Sequence, residues 1–398
     1  MRIGIVKPHY GFVGGFELVV ETVKRGLEHA GHNVEEVRVD VRKASSTPFG
    51  VQVSPVVWRR ADMFFRYAAL VETFRSADVR GFDLIISSQP PSFGAKHPRH
   101  LSLFFHHLRF CYDLSDVYVR AGFVDPELHA RTVDWVRRMD EVDLQEVNYF
   151  LAGSETVRQR LEQFNNLTSN VGIFHAGPAV VPKRRATGSA AGTRVLCVSR
   201  VEFPKRTELF VHAMKYAPKL RAALVGTGSR EPWLRHLDSR LSQPGVDLDA
   251  QTDEDLWLNT GSHREVISVP PGESNVRITG RVSSRALRTY YESAACVVAP
   301  ALNEDYGLTA LEAMLHAKPL VVCSDGGALV DFVRDGVTGY VVEPTGRAIA
   351  GAIKRIAADP ECAREMGLAA REAAQPFTWA RAQQELMAGI DRVLFEVA

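Results

Sequence analysis

Long hydrophobic runs are the first thing missing. No apolar stretch in the 398 residues approaches the roughly 18 needed to span a bilayer, so a membrane-crossing helix is not expected. The chain starts with a strand-like run, Arg2-Ile-Gly-Ile-Val6, and shows no signal h-region. Cysteine is scarce and odd in number, with Cys 5, and no C-x-x-C pair or disulfide ladder is visible. Both observations point to a reducing cytoplasm, with attachment to the inner face of a membrane left open. An excess of one charge is also absent. Lys+Arg 48 against Asp+Glu 47 gives a formal net charge of +1, spread over both halves, which argues against a nucleic-acid partner. Gly 30 and Pro 20 are too few for a fibrous or broadly disordered chain.

What is present is a repeating strand, turn and helix grammar in a chain long enough for two domains. Arg2 to Val6 reads as a buried strand, Lys7 to Gly15 as a loop, Glu17 to His29 as an amphipathic helix, and Val34 to Val39 as the next strand. This is the opening of a doubly wound α/β domain. Gly14-Gly15 would let the loop backbone approach a phosphate, although a full G-x-G-x-x-G is lacking and a plain turn pair accounts for it equally well. Val56 to Phe74 is helical and carries Trp58, Arg59, Arg60 and Arg66. It reads either as an acceptor-side or membrane-facing helix, or as a solvated basic face. Ala176 to Gly192 is rich in small residues, Pro and basic charge, as a linker is. The grammar then restarts at Arg194-Val-Leu-Cys-Val198. Residues 236 to 275 suggest a flexible insertion.

The most informative stretch is Pro300-Ala-Leu-Asn-Glu-Asp-Tyr-Gly-Leu-Thr-Ala-Leu-Glu-Ala-Met-Leu315. A strand, Cys296 to Ala299, leads through Gly307 into a helix whose apolar residues recur at Leu308, Leu311 and Leu315. A helix start after a glycine turn is an anion site. Glu304 and Glu312 flank it, eight residues apart, and could accept hydrogen bonds from a polyhydroxylated ligand. A capping box, Thr309-Ala-Leu-Glu312, accounts for Glu312 alone but not for Glu304 or Asp305.

With Gly326-Gly327 and Asp335-Gly-Val-Thr-Gly-Tyr340 downstream, this stretch resembles the retaining sugar-nucleotide-dependent glycosyltransferases of glycosyltransferase family 4. The resemblance implies a GT-B fold, two Rossmann-like domains across a cleft. Domains are then expected at 1–180 and 194–375, joined by a linker at 181–193, with 376–398 crossing back as a helix. It implies that Arg200 and Lys205 grip the diphosphate with the loop at Gly14 and Gly15. Gly226, Gly228 and Val282 lie in turns facing the nucleotide. Glu304, Asp305, Tyr306, Gly307, Leu308 and Thr309 hold the sugar side, and Glu312 holds the ribose hydroxyls. Arg109, Phe110, Tyr112 and Asp113 match the later half of a family motif, while the strand-end His106 and His107 stand closer to the arginine by one or two positions. His107 is then favoured as the donor-sugar contact, with His106 and Arg109 on the acceptor side.

No D-x-D stands where a metal would be expected, so no metal or cofactor is implied beyond the nucleoside diphosphate sugar, UDP- or GDP-linked. The expected activity is same-face hexosyl transfer to a saccharide, lipid-linked or small-molecule acceptor, by a monomer or homo-oligomer. A disaccharide phosphorylase, a sugar-phosphate synthase and a non-catalytic nucleotide-sugar-binding subunit remain alternatives.

Overall fold

The computed structural model describes residues 1–9, 15–182, 194–258 and 273–395. They fall into two compact units, Met1–Ala176 with Trp379–Ala398, and Gly177–Thr378. Gly14 and positions 183–193 of the expected linker lie outside the described residues.

The first unit is built on a parallel sheet of β1 (Arg2–His9), β2 (Asn33–Asp40), β3 (Leu84–Ser87), β4 (His100–Phe104), β5 (Tyr149–Ala152) and β6 (Val171–Ile173). Its strand order is β2-β1-β3-β4-β5-β6. Every residue of β3 and β4 is buried, as expected for a parallel sheet covered on both faces. Its helices begin with α1 (Gly15–His29), whose Val19, Val23 and Leu27 form one buried stripe at helical spacing. There follow α2 (Pro55–Arg60), α3 (Asp62–Arg75), α4 (Ser115–Arg120), α5 (Pro126–Leu144) and α6 (Glu155–Asn165). The helix expected over 56–74 is broken at Ala61, where the backbone leaves helical geometry (φ −134°, ψ 40°). Asp140 on α5 sits fully buried and accepts hydrogen bonds from Tyr67 (2.8 Å) and Tyr112 (2.9 Å), which ties α3 to the loop after β4.

The second unit repeats the plan with β7 (Arg194–Val198), β8 (Arg221–Val225), β9 (Val276–Gly280), β10 (Ala294–Ala299), β11 (Leu320–Cys323) and β12 (Gly339–Val342). Their order is β12-β11-β10-β7-β8-β9, all parallel. Around them run α7 (Thr207–Lys215), α8 (Glu231–Leu241), α9 (Ser284–Ser293), α10 (Leu308–Leu315), α11 (Ala328–Asp331), α12 (Gly346–Ala358) and α13 (Pro360–Ala374). The last helix, α14 (Trp379–Phe395), belongs to the first unit. Its buried Leu386, Ile390 and Val393 share a face at helical spacing, and Gly389 lies against Leu151 of β5 and Leu101 of β4. Glu385 on the same helix accepts both the backbone N–H of His175 and a bond from its Nδ1, each at 2.7 Å.

The flexible insertion expected over 236–275 is corrected in its described part. Residues up to 241 complete α8, and the π-helical turn at Glu254–Leu258 buries Leu256, Trp257 and Leu258. The polar composition of the segment hides three apolar anchors close together. Residues 259–272 lie outside the described residues.

Candidate active site

The strand order of the second unit gathers four sequence-distant turns at one edge. Running outward from β7, the chain goes to β8 and β9 on one side and to β10, β11 and β12 on the other. The boundary between β7 and β10 is therefore a topological switch point, where open parallel sheets leave a crevice at their carboxyl ends. Arg200 and Lys205 follow β7, and Glu304 and Gly307 follow β10.

Two glycines let the neighbouring turns touch. A Cβ at Gly226 would stand 1.9 Å from the carbonyl oxygen of Ser199, and one at Gly228 would stand 2.1 Å from that of Val201. In their place run backbone bonds, Val201 N–H to Thr227 O and Gly226 N–H to Gly280 O, each 3.0 Å. Gly226 and Gly228 thus hold the turn after β7 in position, with Val282 half-buried two residues beyond Gly280. Arg200 is exposed and has no ion-pair partner among the described residues.

The Lys205 ammonium is ion-paired with the Glu304 carboxylate, both largely buried. The Glu304 backbone is fixed in turn, its N–H donating to Gly326 O (2.9 Å) and its carbonyl accepting from Ala328 N–H (3.0 Å). Gly327 permits this: a side chain there would collide with the Asn303–Glu304 backbone at 2.7 Å. Asp305 is half-buried. The Tyr306 ring is buried against Phe332 (centroids 6.2 Å apart), so only its backbone is available to a ligand. Gly307 takes a left-handed conformation (φ 101°) and caps α10. The first-turn N–H groups of Leu308 and Thr309 have no acceptor within the helix, as at any helix start.

The capping-box alternative fails, because Gly307 and not Thr309 caps α10. Glu312 is buried and accepts hydrogen bonds from Val180 N–H (3.1 Å) and the Tyr291 hydroxyl (3.0 Å). Burial pushes its carboxyl up to about 7, against the lowering effect of those donors. The folded state therefore holds this proton more tightly than the unfolded chain. The associated stability is fully present below about pH 4.5 and is lost as pH rises through about 7. Glu312→Gln should remove this dependence, worth on the order of 3 kcal/mol. Melting temperatures of both proteins from pH 5 to 8 check it; parallel curves would reject it.

One residue at the site carries no sequence signal. Arg206, immediately after Lys205, is buried in a left-handed conformation (φ 47°). Its guanidinium donates to Pro300 O (2.8 Å), to Ala301 O (3.4 Å) and to both Asp325 oxygens (2.8 and 2.5 Å). It also stacks over Trp257 at 5.4 Å. An arginine there reads in sequence as a surface cation; its partners at Pro300, Asp325 and Trp257 are all distant in the chain.

In the first unit, Gly15 opens α1 and is exposed. The preference for His107 is corrected. It is buried, its Nε2 lies 2.8 Å from Asn165 Oδ1, and its ring sits among Phe104, Tyr112 and Phe164. β4 ends at Phe104, and His107 lies in the loop beyond it, held by Asn165 and the three rings. His106 is the half-exposed one of the two, its Nδ1 2.8 Å from the His107 carbonyl. Arg109 is ion-paired with Asp113 at 2.6 Å, which Arg160 also approaches at 3.3 Å.

Two six-stranded parallel sheets, each wrapped by helices, with cations and carboxylates at the switch point of the second, define a protein of the GT-B fold class. Solved structures agree over essentially the whole chain. Sucrose-phosphate synthase from Thermosynechococcus elongatus superposes with TM-score 0.68, covering 100% of both chains at 22% identity. Anabaena HepE in complex with UDP-glucose does so at 0.64, covering 98% of both at 17% identity.

Residues 271–373, inside the second unit, match the family described as glycosyl transferases group 1. Among curated proteins, a D-inositol 3-phosphate glycosyltransferase of Streptomyces griseus is 39% identical over 107 residues, 26% of this chain and 22% of its own. The lipopolysaccharide core biosynthesis mannosyltransferase LpcC of Rhizobium leguminosarum is 30% identical over 241 residues, 59% of each chain. The matched stretches thus span about a fifth to three fifths of those relatives' own length.

Proposed function

We propose that this protein is a retaining glycosyltransferase that moves a hexosyl group from a nucleoside diphosphate sugar to an acceptor hydroxyl. The observation that carries the proposal is the meeting of Arg200, the Lys205–Glu304 pair and the α10 N-terminus at one switch point. The diphosphate lies on the first-turn N–H groups of α10 and beside Arg200 and Lys205. Glu304 takes the sugar hydroxyls and Glu312 the ribose hydroxyls. As the anomeric carbon–oxygen bond breaks, negative charge collects on the departing diphosphate. The two cations and the helix end stabilise that charge where it forms, and no metal is assigned to the step. The acceptor oxygen bonds to the anomeric carbon from the same face, and its proton passes to the departing phosphate oxygen. The mannosyltransferase and UDP-glucose names among the similar proteins support a nucleotide-sugar donor.

A second reading has a specific support. Two of the similar proteins are named for phosphorylated compounds, inositol 3-phosphate and sucrose phosphate. A sugar-phosphate synthase, in which the acceptor itself bears phosphate, stays within the same chemistry.

The test is thermal-shift screening against UDP, GDP and their sugars, followed by product analysis with and without sugar phosphates. A donor at a hundred times its dissociation constant should stabilise the protein by about 2.7 kcal/mol. No shift with any nucleotide would remove the proposal. Tight donor binding without transfer to any acceptor would make the chain a binding subunit.

A further inference from the structure

Large apolar side chains are unevenly distributed on the surface. Of the thirteen that are exposed among the described residues, five fall between positions 49 and 63 of the first unit. They are Phe49, Val51, Val56, Val57 and Met63, with Val51 and Val56 about three-fifths exposed at 58% and 61%. A monomeric soluble surface scatters such residues singly, so a run of five marks a contact surface.

The local structure explains why they stay outside. Ser54 caps α2, accepting from Val57 N–H at 3.3 Å, and Pro55 occupies the first turn. Trp58 then turns inward, stacking on Phe65 (5.2 Å, 22°) and donating its Nε1–H to Asp62 at 2.8 Å. With Trp58 as the anchor to α3, Val56 and Val57 are left facing solvent. Arg59 and Arg60, three and four residues on from Val56, border the same side of this short helix.

Charge identifies the partner. Residues 40–66 hold five cations, Arg42, Lys43, Arg59, Arg60 and Arg66, against Asp40 and Asp62, a net charge of +3 in a chain whose total is +1, with Glu72 accepting from Phe49 N–H at 2.9 Å beside them. Arg66 is committed to Asp62 (2.7 Å) and Arg42 to Asp40 (2.9 Å). Lys43, Arg59 and Arg60 are exposed and have no ion-pair partner among the described residues. Apolar side chains interleaved with unneutralised cations match a surface that is apolar a few ångströms down and negatively charged on top.

We propose that the segment from Lys43 to Met63 is a docking surface for an anionic lipid bilayer. Phe49, Val51, Val56 and Val57 enter the headgroup boundary, and Lys43, Arg59 and Arg60 pair with lipid phosphates. The contact is reversible, and screening weakens it as salt rises.

The experiment is co-sedimentation of the full chain with phosphatidylglycerol vesicles and with phosphatidylcholine vesicles, at low and high salt. The wild-type protein should sediment with the first and not the second. Arg59→Gln/Arg60→Gln should lower the partition by on the order of tenfold. Val56→Glu/Val57→Glu should abolish it. All four side chains are exposed, so melting temperatures should not move, and Val337→Glu on the second unit should bind as wild type. Equal binding to both lipids, no binding to either, or wild-type binding by both double variants would overturn the proposal. So would a dimer dissolved by Val56→Glu/Val57→Glu without any vesicle binding, which would make a second copy the occupant. Binding is read without donor or acceptor, so its failure leaves the donor site untouched.

Discussion

Alanine in place of Lys205 should lower kcat for glycosyl transfer by about 10²–10³-fold, the range for losing one donor that stabilises developing charge. Lys205 sits at the switch point and already holds Glu304, so its removal acts twice. The diphosphate loses a cation, and Glu304 is left as a partly buried carboxylate facing the place where negative charge must grow. Because that charge is larger in the transition state than in the bound donor, kcat should fall by more than KM for donor rises. Arg200→Ala should act in the same direction through the diphosphate alone. Steady-state kinetics on the two single variants and the double variant check this. Near-wild-type turnover of Arg200→Ala/Lys205→Ala would remove both residues from the chemistry.

Arg206→Ala should cost about 2–5 kcal/mol of stability, at about 1–3 kcal/mol for each buried acceptor left unpaired. The guanidinium is the common donor to Pro300, Ala301 and Asp325, so its loss leaves two buried carbonyl oxygens unsatisfied and turns the part-exposed Asp325 carboxylate to water. For a domain of this size the melting temperature should fall by roughly 10 °C. Asp325→Ala should cost less, because the Asp325 side chain is 36% exposed and its partner keeps the two carbonyls. Arg206→Gly should be about 1 kcal/mol milder than Arg206→Ala, because the left-handed backbone at φ 47° suits glycine and strains alanine. Thermal unfolding followed by circular dichroism measures all three. An Arg206→Ala protein melting within two or three degrees of wild type would mean the network is bridged by water instead.

The two α/β units were legible in the sequence because their signals are local. Strand, glycine turn and helix follow one another within a few positions, so Glu304 and Gly307 stand out at a strand end, whereas Arg200 and Lys205 are singled out only by the family resemblance. Contacts made across the sheet were not legible. Nothing near Glu312 in sequence announces Val180 or Tyr291, 132 and 21 positions away. His106 and His107 are chemically alike, and His107 is the buried one through partners distant in sequence, Asn165 and Phe164. The segment after Leu241 looked loose because its composition is polar, while the burial of Leu256, Trp257 and Leu258 depends on partners elsewhere.

The fate of α14 bears on how the protein is made. The first sheet packs Leu101 and Leu151 under a helix that the ribosome supplies only after all of residues 177–378. At ordinary elongation rates that interval is on the order of ten seconds or more. Until then an apolar face of the first sheet stays uncovered on the nascent chain, a ready target for chaperones. A stop codon after position 378 would leave that face bare for good, so it should injure the amino-terminal unit and spare residues 177–378 beside the break.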